Sequence, residues 1–372
     1  MDILYVILQV LSFIGLLCGV LMFWTTKKPP EVLGETHHET LSIIIPARNE
    51  ALRITPLLAS LQRQTWRNME VIVVDDGSTD NTEEVAKAYG AIVVKSRPIG
   101  QMAPGKSNAC AVGAQHATGT WLLFLDADVQ LVNENSLAMM ASSFHVQQGR
   151  GILSMQPYHR IVKPYENLSV IFNIIVLTGM NVFTVWRERF QTAGSFGPCI
   201  LCDRQSYEQT GGHEAAEESI MDDFALSDVF VAQNLPVTNY GGRHIIEMRM
   251  YEEGIGQLVE GWTKNLATAS QSTHRFVMTL IQLWIFGVIM VTLSPIVALC
   301  TSSTIALMIS VSMYIVYGIH VYILARRAGC FHWSIVIVYP LYVLFFTAIF
   351  IYSLYRTHIL RSVMWRGRKI NV

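Results

Sequence analysis

Charged residues are scarce in this sequence. Asp, Glu, Lys and Arg make up only 15% of its 372 residues, while hydrophobic residues make up 51%. An average soluble domain has about 25% charged residues. The composition therefore argues against an ordinary soluble protein, and the length exceeds that of one small domain.

Acidic residues are absent from the end of the chain. From Phe276 onward there is no Asp or Glu but there are seven Lys or Arg, whereas the preceding residues hold 20 basic and 28 acidic side chains. An acidic front and a basic, apolar back predict a water-facing part joined to a membrane part. Because the basic residues alternate with apolar segments, they fit anionic lipid headgroups better than nucleic acid.

A dinucleotide-binding fingerprint is also missing, since no G-x-G-x-x-G occurs. The six cysteines are scattered, and only Cys199 and Cys202 stand at the spacing of a metal or redox pair. No second pair and no His partner accompanies them, so we interpret both as buried thiols.

The most informative stretch is the apolar run of residues 121–125, which leads into Asp126-Ala127-Asp128. A continuous apolar run is typical of a strand that is covered on both faces of a parallel sheet. Ligands of open α/β sheets bind beyond the carboxyl ends of the strands. Two carboxylates there could share a divalent cation; acidic turn residues are the alternative.

Strand and helix patterns alternate around this stretch. Further strands are predicted at residues 41–46, 70–75 and 91–95, and helices at 51–63, 79–89 and 106–118. This alternation predicts a mostly parallel sheet with helices on both faces. Polar residues follow several strands on one edge, where a nucleotide would bind. Lys106, at a helix start, could meet a diphosphate there; a solvated lysine is equally compatible.

Uncharged segments of spanning length frame this part. Residues 3–24 precede Lys27 and Lys28 and predict an uncleaved anchor, with the following domain in the cytoplasm. Residues 276–300, 304–325 and 334–355 predict two to three further spans. If all three crossed the membrane in addition to the anchor, the basic tail would lie outside. We therefore expect one of these segments to be re-entrant or interfacial, with Pro295 and Pro340 as candidate breaks, and the tail to lie inside.

Residues 167–186 form another uncharged stretch. A single crossing there would separate Asp126 and Asp128 from the acidic cluster that follows, and several Asn and Thr side chains would be costly against lipid. We interpret the stretch as a buried or interfacial helix.

The acidic pair Asp222-Asp223 heads an apolar stretch. One interpretation is that a carboxylate acts as general base toward an acceptor; the other is that acidic residues simply stabilise a helix N-terminus. His213 has the pattern of a structural histidine more than of a catalyst. Trp262 could stack on an acceptor sugar or pack the floor of the site, and Lys264 could meet a phosphate.

With these residues assembled, the chain resembles the family 2 glycosyltransferases of the GT-A fold from about residue 41 to 265. The matching segments are "SIIIPARNE" (42–50), "VIVVDDGSTD" (71–80), "PGKSNA" (104–109), "FLDAD" (124–128) and "GGH…MDDFAL" (ending at 226). Other segments are similar to the branch that glycosylates carotenoid acids: "QPYH" (156–159), "IFNIIVLTGMNVF" (171–183), "EGWTKN" (260–265) and "MWRGR" (364–368).

The resemblance implies a role for most of these residues. It places Pro46, Arg48 and Glu50 around the uridine, Asp76 at the uracil edge, Asp126 at the ribose or the waters of the metal, Asp128 on Mn²⁺ or Mg²⁺, and Asp223 as base. From their positions in the sequence, we further expect Lys106 on the donor side and His213, Trp262 and Lys264 on the acceptor side. The family's usual Glu-Asp pair is Asp222-Asp223 here, so either carboxylate could be the base. The Q-x-x-R-W signature of processive synthases is absent, which implies transfer of a single sugar.

The resemblance therefore predicts an inverting, metal-dependent transfer of one hexose, glucose, from a UDP-sugar to a membrane lipid, a carotenoid acid. Alternatives are a diacylglycerol, ceramide-like or polyprenyl-phosphate acceptor, or a non-catalytic membrane scaffold. The predicted parts are an anchor (1–28), a GT-A domain (40–268), a membrane region (276–355) and a basic tail (356–372) of a multi-pass cell-membrane protein.

Overall fold

The computed structural model describes residues 2–30, 39–216, 222–269, 272–301, 303–358, 362–365 and 368–371. The chain divides into two compact units. An α/β unit comprises Lys27–Tyr158 and Gly194–Arg249, and a helical unit comprises Met1–Thr26, His159–Ala193 and Met250–Val372.

A seven-stranded sheet organises the α/β unit. Its strands, numbered along the chain, are β1 (Leu41–Ala47), β2 (Met69–Asp75), β3 (Ile92–Lys95), β4 (Trp121–Leu125), β6 (Ile152–Gln156), β8 (Cys199–Asp203) and β9 (Val237–Gly241), in the order β3-β2-β1-β4-β8-β6-β9. Only β8 runs antiparallel to its neighbours, β4 and β6. The short strands β5 (Val129–Leu131) and β10 (Ile246–Met248) pair separately, and β7 (Tyr158–His159) stands where the two units meet in sequence.

The helices of this unit follow the strands. They are α2 (Ala51–Gln62), α3 (Thr82–Ala88), α4 (Lys106–His116), α5 (Ser136–Val146), α7 (Arg204–Thr210), α8 (Gly212–Ala215) and α9 (Asp222–Ala232). The predicted strands and helices between residues 41 and 125 are confirmed within three residues at each end. The main difference is α3, which begins at Thr82 rather than residue 79 because Asp80 accepts hydrogen bonds from the Thr82 amide and from Ala51.

One hydrophobic cluster of the α/β unit packs α4 against the sheet. Ile44, Val74 and Leu122, from β1, β2 and β4, are at most 1% exposed. Full burial of such a side chain is worth about 1.5–3 kcal/mol, which is why strands covered on both faces are apolar throughout. Gly113 brings α4 against the sheet, since a Cβ there would overlap the side chain of Ile44.

The helical unit contains the long apolar helices. Its elements are α1 (Asp2–Met22), a 3₁₀ helix (Pro164–Ser169), α6 (Val170–Gly179), a 3₁₀ turn (Arg187–Arg189), α10 (Ile255–Ala269), α11 (Arg275–Cys300), α12 (Thr304–Ala328), α13 (Ile335–His358) and the hairpin strands β11 (Ser362–Trp365) and β12 (Arg368–Asn371). Among the described residues, four helices are long and apolar enough to cross a membrane: Ile3–Met22, Arg275–Cys300, Thr304–Ala328 and Ile335–Thr357.

Two sequence-based expectations about the membrane part can be compared with the structure: the stretch 167–186 and the breaks at two prolines. The stretch 167–186 is not among the candidate spans; its helix α6 has only 10 residues, about 15 Å, and its buried Asn173 donates to the carbonyl of Ser169. The expected helix breaks at Pro295 and Pro340 are wrong, because α11 and α13 continue through both prolines. Apolar helices tolerate proline when neighbouring groups satisfy the freed carbonyls.

Candidate active site

Two loops at the carboxyl edge of the sheet are fastened to each other. Asn49, in the left-handed region at φ 54°, follows β1. Its side-chain oxygen accepts a hydrogen bond of 2.7 Å from the amide of Thr79, and its own amide donates to the hydroxyl of Ser78 at 3.0 Å. The amide of Glu50 donates to Thr82 in the same way, at 2.9 Å. The loops after β1 and β2 therefore form one fixed edge.

The predicted uridine-binding residues lie on this edge. Pro46 and Arg48 follow along β1 and are half-buried, as is Asp76 after β2. The Asp76 amide donates to the carbonyl of Ala47 at 2.9 Å, which sets the two strand ends side by side. The side chains of Arg48 and Asp76 make no hydrogen bond or ion pair with the part of the chain that the structure describes, so both remain available to a ligand.

Asp126 and Asp128 stand at the end of β4, as predicted. The Asp126 amide donates to the carbonyl of Pro198 at 3.1 Å, which places the turn beside the loop before β8. Burial, together with Asp126 and Glu50 nearby, raises the pKa of Asp128 to about 7. Asp128 therefore lies in a concentration of negative charge that Arg53 and Lys106 only partly offset.

Lys106 connects the parts of this site. Its ammonium group lies 2.8 Å from the Asp126 carboxylate and 3.6 Å from that of Asp223, and it donates to the carbonyl of Gly197 at 3.3 Å. Burial alone would lower the pKa of Lys106, but the two carboxylates outweigh it and hold the pKa well above its ordinary value. The lysine is therefore a fixed cation between two acidic side chains.

Asp223 and Phe224 lie against the two glycines of the loop that precedes β8. A Cβ at Gly197 would overlap the Asp223 carboxylate, and one at Gly194 would overlap the ring of Phe224. The hydroxyl of Ser195 donates to the Asp223 carbonyl at 2.6 Å, and that of Ser227 at 3.1 Å. The loop before β8 thus holds Asp223 at its carbonyl, through Ser195, and at its carboxylate, through the space at Gly197.

A comparison with known proteins identifies the family. Residues 42–211 match the model of "Glycosyl transferase family 2". The chain is 38% identical over 371 residues to 4,4'-diaponeurosporenoate glycosyltransferase of Staphylococcus aureus strain USA300, covering 98% of this chain and 97% of the relative. The protein of the same name from strain MRSA252 is 38% identical over 373 residues, with the same shares covered. The chain belongs to glycosyl transferase family 2.

The fold of this glycosyltransferase is GT-A, as the sequence predicts. A mannosyltransferase of Pyrobaculum calidifontis, solved in complex with GDP-Man and Mn²⁺, superimposes with a TM-score of 0.55 at 16% identity, over 94% of this chain and 99% of that one. The likeness therefore extends to the long apolar helices as well as to the α/β part. At this identity it concerns the fold.

The structure thus brings several predicted residues of the glycosyltransferase together. Asp126 and Asp223 meet at Lys106, and Asp128 is close enough to Glu50 for their charges to interact. Glu50 is itself paired with Arg53 at 3.4 Å, an i,i+3 ion pair that the sequence prediction overlooked. The side chain of Asp222 lies outside the described part of the chain, as do Glu217 and Glu218.

Two sequence interpretations within this unit concern buried side chains. His213 is 2% exposed; its Nδ1 lies 2.8 Å from the hydroxyl of Tyr207, and its ring lies 4.8 Å from that of Phe124. These contacts are those of a structural histidine. Cys199 and Cys202 are fully buried in β8, and burial raises the pKa of both thiols, which fits the interpretation as buried thiols.

Trp262 and Lys264, predicted on the acceptor side, belong to α10 of the helical unit. The Trp262 indole is 2% exposed, donates to the hydroxyl of Ser169 at 3.0 Å and stacks on Phe172 at 4.6 Å between ring centroids. It therefore packs α10 onto α6. Lys264 is partly exposed on the same helix. Their acceptor-side role stays a prediction.

Two further features of the site were missed in the sequence. The loop Gly194-Ser195-Phe196-Gly197 is one, and its two glycines three residues apart, just before an apolar strand, were the available signal. The other is that residues 100–107 have the G-x-x-x-x-G-K-S spacing of a P-loop. As in a P-loop, the lysine stands at the start of a helix. Unlike in a P-loop, the glycine-rich segment begins several residues after the strand β3, and Lys106 pairs with carboxylates.

Proposed function

We propose that this glycosyltransferase moves one hexose, glucose, from a UDP-sugar to a carotenoid carboxylic acid in the membrane and releases a glycosyl ester. The meeting of Asp126, Asp223 and the Gly197 carbonyl at one lysine ammonium supports a site for a sugar diphosphate and an acceptor. The 38% identity to a diaponeurosporenoate glycosyltransferase over nearly the whole chain supports the acceptor class.

Asp126 and Asp128 fit a divalent cation, Mn²⁺ or Mg²⁺. Carboxylate oxygens are ligands that both ions prefer. A cation would favour the ionised form of Asp128, whose pKa is raised to about 7 by burial and by the nearby carboxylates of Asp126 and Glu50. No group of three His, Cys, Asp or Glu side chains with metal-site geometry occurs among the described residues. The other ligands would then be phosphate oxygens of the donor and water. The bound metal would act as a Lewis acid toward the departing diphosphate.

The protein's own side chains would place the donor. Arg48 and Asp76, available at the fixed edge, would contact the uridine. Lys106 stands at the N-terminus of α4, where the helix dipole also favours an anion. When the diphosphate enters, the ammonium group can exchange part of its contact with Asp126 and Asp223 for a phosphate oxygen without being moved far.

The transfer itself needs an attack from the face opposite the leaving group. An acceptor carboxylate oxygen forms a bond to C1 of the sugar, while the bond from C1 to the UDP oxygen breaks and its electron pair leaves with UDP. The configuration at C1 is inverted. A carboxylic acid has a pKa of about 4 and is already ionised at neutral pH, so no proton has to be removed. Asp223 would serve as base only for a hydroxyl acceptor.

The cellular arrangement follows from the apolar helices. The helices long enough to span a membrane would keep the protein where a carotenoid acid dissolves, and Lys27-Lys28 after α1 would hold the α/β unit in the cytoplasm, where UDP-sugars are made available.

A UDP-release assay on the full-length protein in lipid nanodiscs would test the proposal. We expect release from UDP-glucose only when a C30 carotenoid acid and Mn²⁺ or Mg²⁺ are both present, with a product that mild alkali hydrolyses as an ester. If UDP release instead required diacylglycerol, a ceramide or polyprenyl phosphate, that lipid and not a carotenoid acid would be the acceptor. UDP release that is undiminished after the metal ions are chelated would refute the requirement for a metal.

A further inference from the structure

Three helices of the helical unit form an antiparallel bundle with two distinct ends. At one end the Arg327 guanidinium of α12 donates to the carbonyl of Phe23 and lies over its ring, 5.4 Å from the centroid. We call this the proximal end, because α1 ends there and Lys27 and Lys28 follow shortly afterwards in sequence. At the other, distal end, the Tyr5 hydroxyl of α1 donates to the carbonyl of Ala306 at 3.1 Å.

Polar contacts join the three helices of the bundle near its distal end. The Gln9 amide of α1 donates to the hydroxyls of Ser294 in α11 and Ser310 in α12, at 2.5 and 3.0 Å. Such interhelical hydrogen bonds are typical of helices that pack within a membrane. All of α1, α11 and α12 therefore reach from the proximal to the distal end.

The first turns of α13, the fourth candidate span, meet α12 at mid-height. The Tyr314 hydroxyl donates to the carbonyl of Ile337 at 2.5 Å, and the Tyr339 hydroxyl donates to the carbonyl of Tyr314 at 3.2 Å. A Cβ at Gly318 would overlap the carbonyl of Val336. These contacts all involve the first turns of α13.

The distal half of α12 has no such neighbour. Between residues 304 and 316, all of them described, only Ala306 and Ser310 are buried, and both face α1 or α11. Ile305 and Met308 are 71% and 64% exposed. A helix that crossed beside α12 would cover part of this surface, so α13 leaves α12 before the distal end.

The rest of α13 instead packs on α6 and α10. Phe346 lies against Phe172 of α6, with 5.0 Å between ring centroids. Further along, the buried Ser353 donates to the carbonyl of Thr263 in α10 at 2.7 Å. The side chains buried along α13 recur at helical spacing to its last turns: Ile335, Tyr339, Val343, Phe346, Ile349 and Ser353.

Both ends of α6 are fastened at the proximal end of the bundle. Before it, the Asn167 side chain accepts from the amide of His332, just after α12, at 2.9 Å. After it, Asn181 accepts from the amide of His274, at the start of α11, at 3.0 Å. Because α13 packs along α6, it stays beside the proximal half of the bundle.

Length does not settle the course of α13. Its 24 residues are about 36 Å long, enough to cross a hydrocarbon core of about 30 Å. Its contacts decide differently. We propose that α13 does not cross the bilayer but lies obliquely in the leaflet at the proximal side, so that the chain has three spans and its basic tail returns to the side of Lys27 and Lys28.

The partner of the outer face of α13 is then the acyl layer of that leaflet. Ile337, Leu341, Leu344 and Ile351 are 58–66% exposed in the protein alone, and acyl chains would cover them. The five basic residues that follow in sequence, between residues 356 and 369, match the anionic headgroups of the same leaflet. This arrangement also satisfies the positive-inside rule, which a fourth crossing would violate.

Cysteine labelling in sealed vesicles tests the course of α13 directly. Cys300, which is exposed at the distal end, marks one side, and a Lys28→Cys variant marks the other. A second variant carries an added cysteine after Val372. Each is treated with a membrane-impermeant maleimide in right-side-out and in inverted vesicles, and labelled peptides are identified by mass spectrometry.

We expect the added cysteine to react in the same vesicle orientation as the thiol at position 28 and in the opposite orientation from Cys300. Reaction together with Cys300 would mean that α13 crosses, and the proposal would be overturned. Because the readout is the side of the membrane, it does not depend on the sugar or the acceptor. Glycosyltransferase activity of each variant, compared with the unmodified chain, verifies that labelling reports the folded protein.

Discussion

The ammonium group of Lys106 lies 2.8 Å from the carboxylate of Asp126, and the same group is 3.6 Å from Asp223. One cation therefore links a carboxylate at the end of β4 with one in the first turn of α9, more than 90 residues apart in sequence. These two ion pairs fix the end of β4 and the first turn of α9 relative to each other.

Replacing Lys106 by Met is expected to lower kcat/KM for the UDP-sugar by about 100-fold or more, the loss typical for removing one preorganised charged donor. The physical reason is that two partly buried carboxylates lose their shared counter-ion and then repel the diphosphate. Steady-state UDP release measures the effect. Lys87→Met, on the exposed face of α3, is the control, and equal kinetics of the two variants would contradict the role of Lys106.

Asp223→Asn should affect acceptors differently. With a carotenoid acid, which is already ionised, the rate should fall by less than about tenfold. With the corresponding alcohol it should fall by about 10²–10⁴-fold, the usual contribution of a general base. Rates with the two acceptors at saturating donor provide the comparison, with Asp228→Asn, exposed on the same helix, as control. Large and equal losses on both acceptors would argue against the ester mechanism.

Asp128→Ala should lower the turnover rate by more than about 10³-fold with either acceptor, because the proposed metal–diphosphate complex would lose a ligand. Binding gives an independent readout. A ligand present at 100 times its Kd stabilises the native protein by about 2.7 kcal/mol, so UDP with Mn²⁺ should raise the Tm of the wild type and not that of the variant. If UDP with Mn²⁺ raised the Tm of the variant as much as that of the wild type, Asp128 would not be a ligand of the metal.

Gly197→Ala should destabilise the protein by about 1–3 kcal/mol, the usual cost of overpacking, because the new methyl group overlaps the Asp223 carboxylate. In an Asp223→Ala background the obstacle is gone, and the same change should cost less than about 0.5 kcal/mol. Thermal unfolding of the four proteins completes the cycle. Gly256→Ala, at a position with open space, is the matched control; additive effects would contradict the contact.

The ion pair of Asp75 with Lys95, at 2.6 Å, should make stability depend on pH. Burial would raise the pKa of Asp75, but hydrogen bonds from Lys95 and Ser78 outweigh it and hold the pKa below its ordinary value. Such a carboxylate stabilises the fold above its unfolded pKa of about 3.9, and the stabilisation is lost as pH falls through the folded pKa.

Lys95→Met should therefore lower the Tm at pH 7, and its difference from the wild type should shrink below about pH 4. Lys28→Met serves as a surface-charge control. A difference that stays constant from pH 7 to pH 3 would show that Asp75 is not the group that responds.

The sequence predicted much of the α/β unit because its signals are local. Apolar runs such as 121–125 require burial on both faces, and each is followed by the polar residues of a strand end. Since parallel strands end at one edge, the positions of Asp76 and Asp126 directly after two such strands were enough to assign both to the same edge. The pairing of Asn49 with Thr79 was not predicted, because it depends on one left-handed residue.

Residues that act through distant contacts could not be placed in the same way. Nothing in the local pattern of Lys106 distinguishes a solvated lysine from one held between Asp126 and Asp223. Gly197 was passed over for a similar reason, since the meaning of a missing side chain appears only when the group that occupies its space is known.

The sequence by itself determined the family, the strand-end carboxylates and the four apolar helices, because composition and periodicity report burial along one element at a time. Only the tertiary structure decided that Lys106 joins Asp126 to Asp223 and that α13 turns away from α12 onto α6 and α10. Hydropathy measures whether a helix suits lipid. Which neighbours it packs against, and hence its course, depends on shape and hydrogen bonds between residues far apart in the chain.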